Sequence, residues 1–433
     1  MRLAAFLYLA ALVLPVPVNS ATIRVPTDQP TIQEAINAAA ASGDLILVEP
    51  GIYTGPLNRD LDFSGKAIVL RGIGGAAATI IDCQQLSRGF NFHSGETNAA
   101  VVEGLTVMNG RRPGDQRGGG ILCVDASSPT IQNCIITRNE ASNGSGIHCD
   151  RSSPIVSNCT MSFNGIGGVT IGDGSGMNCV NNSSPIITGC TFSNNVIFLG
   201  GGGAGVSCDA SYLTITDCTF KDNDTEWGGG IAMDSGSSVV ISRCTFEHNS
   251  AENYGDAILC FQSTFVATDC LFVGNVGAAT MYTVSANVTL RNCTIALSHS
   301  PYSGGSVGVM LVDRTPSEPG IAVLDRVVVA FTDGIAVRCF GASVATLTCC
   351  DVFGNDRGDW TECIAGQAGI NGNFSLDPQF CNLDMRDFRL HDTSPCLPGN
   401  HPQGDQCGLI GVYGSGCTTA VESTTWGAIK ARF

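Results

Sequence analysis

Seven stretches of the chain repeat one pattern of apolar and polar positions around a cysteine: PTIQNCIITRN, PIVSNCTMSFN, PIITGCTFSNN, LTITDCTFKDN, VVISRCTFEHN, FVATDCLFVGN and VTLRNCTIALS. The cysteines are Cys134, Cys159, Cys190, Cys218, Cys244, Cys270 and Cys293, at intervals of 25, 31, 28, 26, 26 and 23 residues. Three residues before each cysteine the side chain is always apolar (Ile131, Val156, Ile187, Ile215, Ile241, Ala267, Leu290), as it is two residues after (Ile136, Met161, Phe192, Phe220, Phe246, Phe272, Ile295). Positions two apart share one face of a strand; positions three apart do not. The alternation therefore breaks between them, at Asn133, Asn158, Gly189, Asp217, Arg243, Asp269 and Asn292. Each stretch predicts strand, corner, strand.

A second pattern, Gly-apolar-x-Cys, recurs in between: GILC (120–123), GIHC (146–149), GMNC (176–179) and GVSC (205–208), with GIAM (230–233) and AILC (257–260) as variants. It predicts a third short strand per unit. A period this short marks stacked structural units, each burying its apolar face against its neighbours. The expected architecture is all-β, a three-faced parallel solenoid of about eleven turns from residue 61 to 360, which at ~4.8 Å per turn makes a rod of roughly 50 Å. Asn139, Asn164, Asn195, Asn223, Asn249 and Asn275, with Ser298 in the seventh unit, stand five residues after each cysteine. A stacked Asn row satisfies corner backbone groups, and that structural role is preferred here over ligand binding.

The ends differ. Residues 21–60 read as an N-terminal cap: Thr31 caps a short helix with Glu34 three residues on, and Ile32, Ala35, Ile36 and Ala39 form its apolar face. Residues 361–417 lose the period and carry Cys363, Cys381, Cys396, Cys407 and Cys417, a Cys-rich C-terminal cap where disulfides are expected. Residues 418–433 are a tail ending in WGAIKARF. Residues 1–20 read as an export signal, with Arg2, an apolar run from Leu3 to Val18 and small residues before Ala21, so the mature chain is expected to be secreted or held at the cell surface with no transmembrane span.

Composition narrows the partners. Gly is 54 of 433 residues and charged residues are 14%, which suits a turn-rich β chain. Net charge is −16, and −17 once Arg2 leaves with the signal, which excludes nucleic acid as a partner. Of 21 cysteines, those in the repeat rows are expected to be buried thiols, because stacked parallel side chains do not reach disulfide torsion.

These patterns resemble known proteins. The repeat resembles that of right-handed parallel β-helix proteins of the pectin-lyase-like superfamily. The alternation of FxxN (Phe192–Asn195, Phe220–Asn223) with GGGI (Gly118–Ile121, Gly228–Ile231) is similar to polymorphic outer-membrane-protein repeats. The resemblance implies the fold and leaves open lyases, hydrolases, esterases, adhesins and binding proteins.

No catalytic residues are assigned: the chain has no adjacent Asp pair, no GxSxG elbow and no metal-spaced histidines. Two charged rows stand out. Asp217, Arg243 and Asp269 fall on successive turns and read as surface ion pairs. Asp125, Asp150, Asp209 and Asp234, with Asn181 between them, read as corner residues or as an acidic ridge for calcium. The preferred ligand patch is the loop KDNDTEW (221–227), where Asp222, Asp224 and Glu226 offer hard oxygens and Trp227 a platform for a sugar ring, joined by Asp209 and Asp234. No cofactor is required, and calcium is the cation such acids would take. The expected function is a monomeric, extracellular polysaccharide-binding, adhesin-like or surface-structural protein; a polysaccharide lyase or related carbohydrate-active enzyme is the alternative.

Overall fold

A computed structural model of the chain describes residues 20–417 apart from 112–113, 115–116, 166–171, 199 and 405. The export signal up to residue 19 and the tail 418–433 lie outside the described residues. Three parallel sheets of 13, 12 and 10 strands run the length of a single coil. Both repeat rows stack in register: Ile131, Val156, Ile187, Ile215, Ile241, Ala267 and Leu290 pair in sequence on the 13-stranded sheet. Ile136, Met161, Phe192, Phe220, Phe246, Phe272 and Ile295 do the same on the 12-stranded sheet. The Gly-apolar-x-Cys strands build the 10-stranded sheet, stacking Cys123, Cys149, Cys179 and Cys208.

The polar position before each cysteine turns the corner with left-handed backbone. Asn133, Asn158, Asp217, Arg243 and Asp269 have φ between 51° and 55°. That conformation reorients the next side chain and lets residues three apart both point inward. A second left-handed corner follows at Asn194, Asp222 and His248.

The interior is columns of like residues. Phe192, Phe220, Phe246 and Phe272 stack with ring centroids 4.9, 4.6 and 4.9 Å apart. Offset stacking adds about 0.5–1.5 kcal/mol per pair to their burial. Each Asn amide in the corner column donates to the next Asn Oδ1 at 2.9–3.1 Å, from Asn139 through to Asn275. The Asn row is structural, as the repetition suggests. A serine column runs along another corner: the hydroxyls of Ser183, Ser211, Ser237 and Ser263 each accept the backbone N–H of the serine one turn earlier, beginning at Ser152. Its sequence signal is Ser seven residues before each of six cysteines (Ser127, Ser152, Ser183, Ser211, Ser237, Ser263).

Fifteen cysteines are free and all are buried. Burial pushes the thiol pKa up to about 12 at Cys83, Cys208 and Cys350, and well above the thiol range at Cys149. A neutral buried thiol is inert. A maleimide should label none of the fifteen in the folded chain and all of them in denaturant, counted by mass; labelling of a row cysteine in the folded state would contradict this packing.

Both ends depart from the expected boundaries. Strands Thr22–Val25, Ser42–Val48 and Gly51–Tyr53 already belong to the 13- and 12-stranded sheets, so the coil begins inside the segment read as a cap. The helix Ile32–Ala38 covers its open end, N-capped by Thr31, with Ile32, Ala35 and Ile36 buried. At the other end the chain covers a side as well as an end. Phe374, Phe380, Phe388, Leu390 and Ile410 pack on Val273, Ala296, Val328 and Ala330. Strands Leu271–Val273, Thr294–Ala296 and Val328–Ala330 are therefore buried on both faces. Disulfides Cys339–Cys363, Cys349–Cys407 and Cys381–Cys417 tie this strap down, while Cys396 stays a buried thiol. Among the described residues no helix is long and apolar enough to cross a membrane.

Candidate functional site

Three consecutive turns gain a fourth strand. Asp224–Trp227, Ser250–Tyr254 and Val276–Gly277 form a small parallel sheet beside the 10-stranded one. The segment read as a loop at 221–227 is thus half strand. Between the two sheets lies a cleft of about 620 Å³. Its floor is the outer face of the 10-stranded sheet, where Ser207, Ala232, Leu259 and Tyr282 pair in sequence. Its wall carries Trp227 and Tyr254, which are register partners. Tyr254 meets Tyr282 with ring centroids 4.2 Å apart. Trp227 is 39% exposed, so its ring is available to a ligand.

The structure divides the six expected ligand residues. Asp209, Asp234 and Trp227 line the cleft, and Asp209 and Asp234 are register partners on adjacent turns. Asp222 does not join them: it occupies a left-handed corner after strand Thr219–Lys221 of the 12-stranded sheet, and its carboxylate sits 3.5 Å from His248 Nδ1. Asp224 and Glu226 lie on the wall strand without lining the cleft. A corner sets Asp222 apart, and alternation along the strand turns Trp227 to the face opposite Asp224 and Glu226, so the four do not serve one site.

The acidic ridge is broken as well. Val180 stands between Asp150 and Asp209 in the register. Asp150 is engaged by Arg151 and accepts the Asn181 amide, and Asp125 pairs with Arg151. Among the described residues, no three His, Cys, Asp or Glu side chains come together in a way that would hold a metal. The other charged row is a surface ion pair: Arg243 binds Asp217 through two hydrogen bonds of 2.6 and 2.8 Å, both groups exposed.

The cleft contains groups that the repeat pattern did not single out. Asp173 stands at its mouth, with Oδ1 accepting the Gly202 N–H at 2.8 Å. The residue as a whole is exposed, but its carboxyl turns in among the cleft walls. That enclosure pushes its pKa up, and the charges of Asp209 and Asp234 add to the effect. Tyr254 had a legible signal: Tyr254-Gly255 falls one unit after Trp227-Gly228. Asp173 had none, since it lies in an irregular stretch between repeats.

A second group of charges gathers where the strap meets the 12-stranded sheet. Arg386 reaches Glu247 and His248, and Lys221 lies 3.4 Å from Glu247. Burial and the adjacent Arg386 lower the His248 pKa. These charges satisfy one another and hold the strap.

Three parallel sheets wound as one coil define the class. The chain belongs to the right-handed β-helix family, whose model, described as right handed beta helix region, matches residues 61–195 and 179–318. No curated protein matches the sequence. Solved structures with some likeness include a pectate lyase at 14% identity, covering 92% of this chain and 97% of its own, with a TM-score of 0.47. The catalytic domain of a GH87 α-1,3-glucanase in complex with nigerose has 14% identity, coverage of 77% and 69%, and a TM-score of 0.46. The A-module of the mannuronan C-5 epimerase AlgE6 from Azotobacter vinelandii has 17% identity, coverage of 80% and 95%, and a TM-score of 0.42. At this identity and overlap they fix no activity for the chain.

Proposed function

We propose that the protein is an exported, monomeric polysaccharide-binding protein that seats a glycan chain in the cleft between the 10-stranded and three-stranded sheets. The observation that carries this reading is the wall of Trp227 and Tyr254, joined by Tyr282, beside carboxylates on an open cleft. Sugar rings present apolar faces to aromatic rings and hydroxyls to carboxylates, and a cleft of this size suits a few sugar units. Disulfides in the C-terminal strap support an oxidising, extracellular setting. Trp227→Ala should lower retention on the bound polysaccharide at least ~10-fold, about 1.4 kcal/mol, with an unchanged circular dichroism spectrum. Unchanged retention would end the reading.

One observation favours a second reading, a carbohydrate-active enzyme. Enclosure raises the pKa of Asp173, and two further carboxylates line the same cleft. A protonated and an ionised carboxyl flanking one bond is the arrangement glycoside cleavage needs. Lyase chemistry has no such support in this cleft, because its described lining includes no Lys, Arg or His to take a proton beside a uronate. Release of new reducing ends by the wild type and its loss in Asp173→Asn would establish the enzyme.

A further inference from the structure

If the cleft holds a glycan, as proposed above, its charge bears on which glycan it holds. Several carboxylates on the outside of this coil have cations beside them: Asp217 has Arg243, Asp150 has Arg151, Glu247 has Lys221 and Arg386, and Asp387 has Arg389. Asp173, Asp209 and Asp234 make no ion pair with any described residue, and no Lys, Arg or His is among the described residues lining the cleft. Asp209 and Asp234 even stand directly across from each other on adjacent strands, an arrangement of like charges that a sheet disfavours. Enclosure raises the pKa of Asp173, and the charges of Asp209 and Asp234 add to it.

A second observation points to a ligand. Ser207 stands on the cleft floor on the strand Val206–Asp209, only 7% exposed, and its hydroxyl makes no hydrogen bond to the described residues. A hydroxyl so deeply placed without a partner is normally completed by something that enters from the open side. The aromatic rings beside it would also welcome a cation, since the ring face is negative.

We propose that the cleft selects a glycan bearing ammonium groups, a polymer of amino sugars with free amines. Successive ammonium groups would meet Asp209 and Asp234, with Asp173 at the mouth, while a sugar ring lies against Trp227 and a ring hydroxyl reaches Ser207. An acidic polysaccharide would bring a fourth negative charge into a cleft with no cation to receive it. A neutral glycan would keep the stacking and lose the charge pairing. The net charge of −16 would draw such a polymer in and repel uronates.

The test is calorimetric titration of the mature chain with three soluble probes at low and moderate salt: a glucosamine oligomer, its fully N-acetylated counterpart and an oligogalacturonate. The glucosamine oligomer should bind at least ~10-fold tighter than the acetylated one at low salt, the equivalent of about 1.4 kcal/mol. The difference should shrink as salt rises. Asp209→Asn and Asp234→Asn should remove that preference, and Asp269→Asn, a charge change elsewhere on the surface, should not. Equal affinity for the amine and acetylated oligomers would overturn the ammonium inference and leave the glycan reading standing. Binding of none of the probes, nor of any other polysaccharide, would overturn both. Glucosamine binding that survives Trp227→Ala and Asp209→Asn undiminished would also overturn the inference, since it would mark adsorption to an acidic surface.

Discussion

Asn223→Ala is expected to destabilise the coil by about 4 kcal/mol. The Asn223 Oδ1 accepts both the Asn195 backbone N–H at 3.1 Å and the Asn195 side-chain amide at 3.0 Å. Its Nδ2 donates to the Phe192 carbonyl and to Asn249 Oδ1, both at 2.9 Å. Truncation takes a partner from four groups on residues that are 0% exposed; Asn195 Nδ2 keeps the Met161 carbonyl and Asn249 Oδ1 keeps the residue-223 N–H, so the Asn195 N–H and the Phe192 carbonyl bear the loss. Each buried orphan costs about 1–3 kcal/mol, less whatever water recovers in the vacated space. Asn223→Asp should cost nearly as much, because it retains the acceptor and loses both donations. Because each turn holds only its neighbours, a break in the middle of the column should also divide the unfolding transition in two. Urea unfolding followed by circular dichroism measures both effects. A loss below about 1 kcal/mol would mean that the column does not carry the corners.

Asp256→Asn acts in the opposite direction. Asp256 is 0% exposed, and neither carboxylate oxygen has a well-formed hydrogen bond, although the Ala279 N–H and the Ser306 hydroxyl lie near it. It stands where the other units have a small residue: Gly119, Ser145, Ser175, Ala204 and Gly229 precede the same Gly-apolar step. Burial pushes its pKa well above the carboxylate range, and the nearby Asp333 adds to that. The folded state thus holds a proton that the unfolded state gives up near pH ~4. Its contribution to stability is fully present below that pH and is lost as pH rises toward the folded pKa, at about 1.4 kcal/mol per pH unit. Asp351, also fully buried with a raised pKa, adds a slope of the same sign. Asp256→Asn should remove one proton's share of the slope, so that its gain in stability over the wild type grows as pH rises above ~4. Equal slopes in the two proteins would contradict a protonated Asp256.

The coil was legible because repetition exposes it. A row such as Phe192, Phe220, Phe246 and Phe272 reports its own stacking, and a polar residue between two apolar ones three apart reports a corner. What the repeat did not report were the places where one unit differs from the rest. Asp256 in a Gly or Ser position, Asp173 in an irregular stretch and the strand Asp224–Trp227 inserted into the turns are departures from the frame, and the cleft is made of such departures. The strap had a signal of another kind: LFV, TIA and VVA replace the alternating TFS, TFK and TFE where both faces are covered. Asp222, Asp224, Glu226 and Trp227 were grouped by closeness in sequence, but a corner sets Asp222 apart and strand alternation turns Trp227 away from Asp224 and Glu226.

Tryptophan fluorescence gives the most direct test of the cleft as a glycan site. With Trp360→Phe and Trp426→Phe in place, Trp227 is the sole indole of the chain. Titration with the polysaccharide that the protein retains should quench and shift this one signal, saturating at the concentration that saturates retention. Saturated retention with an unmoved Trp227 spectrum would place the sugar elsewhere on the coil and contradict the account.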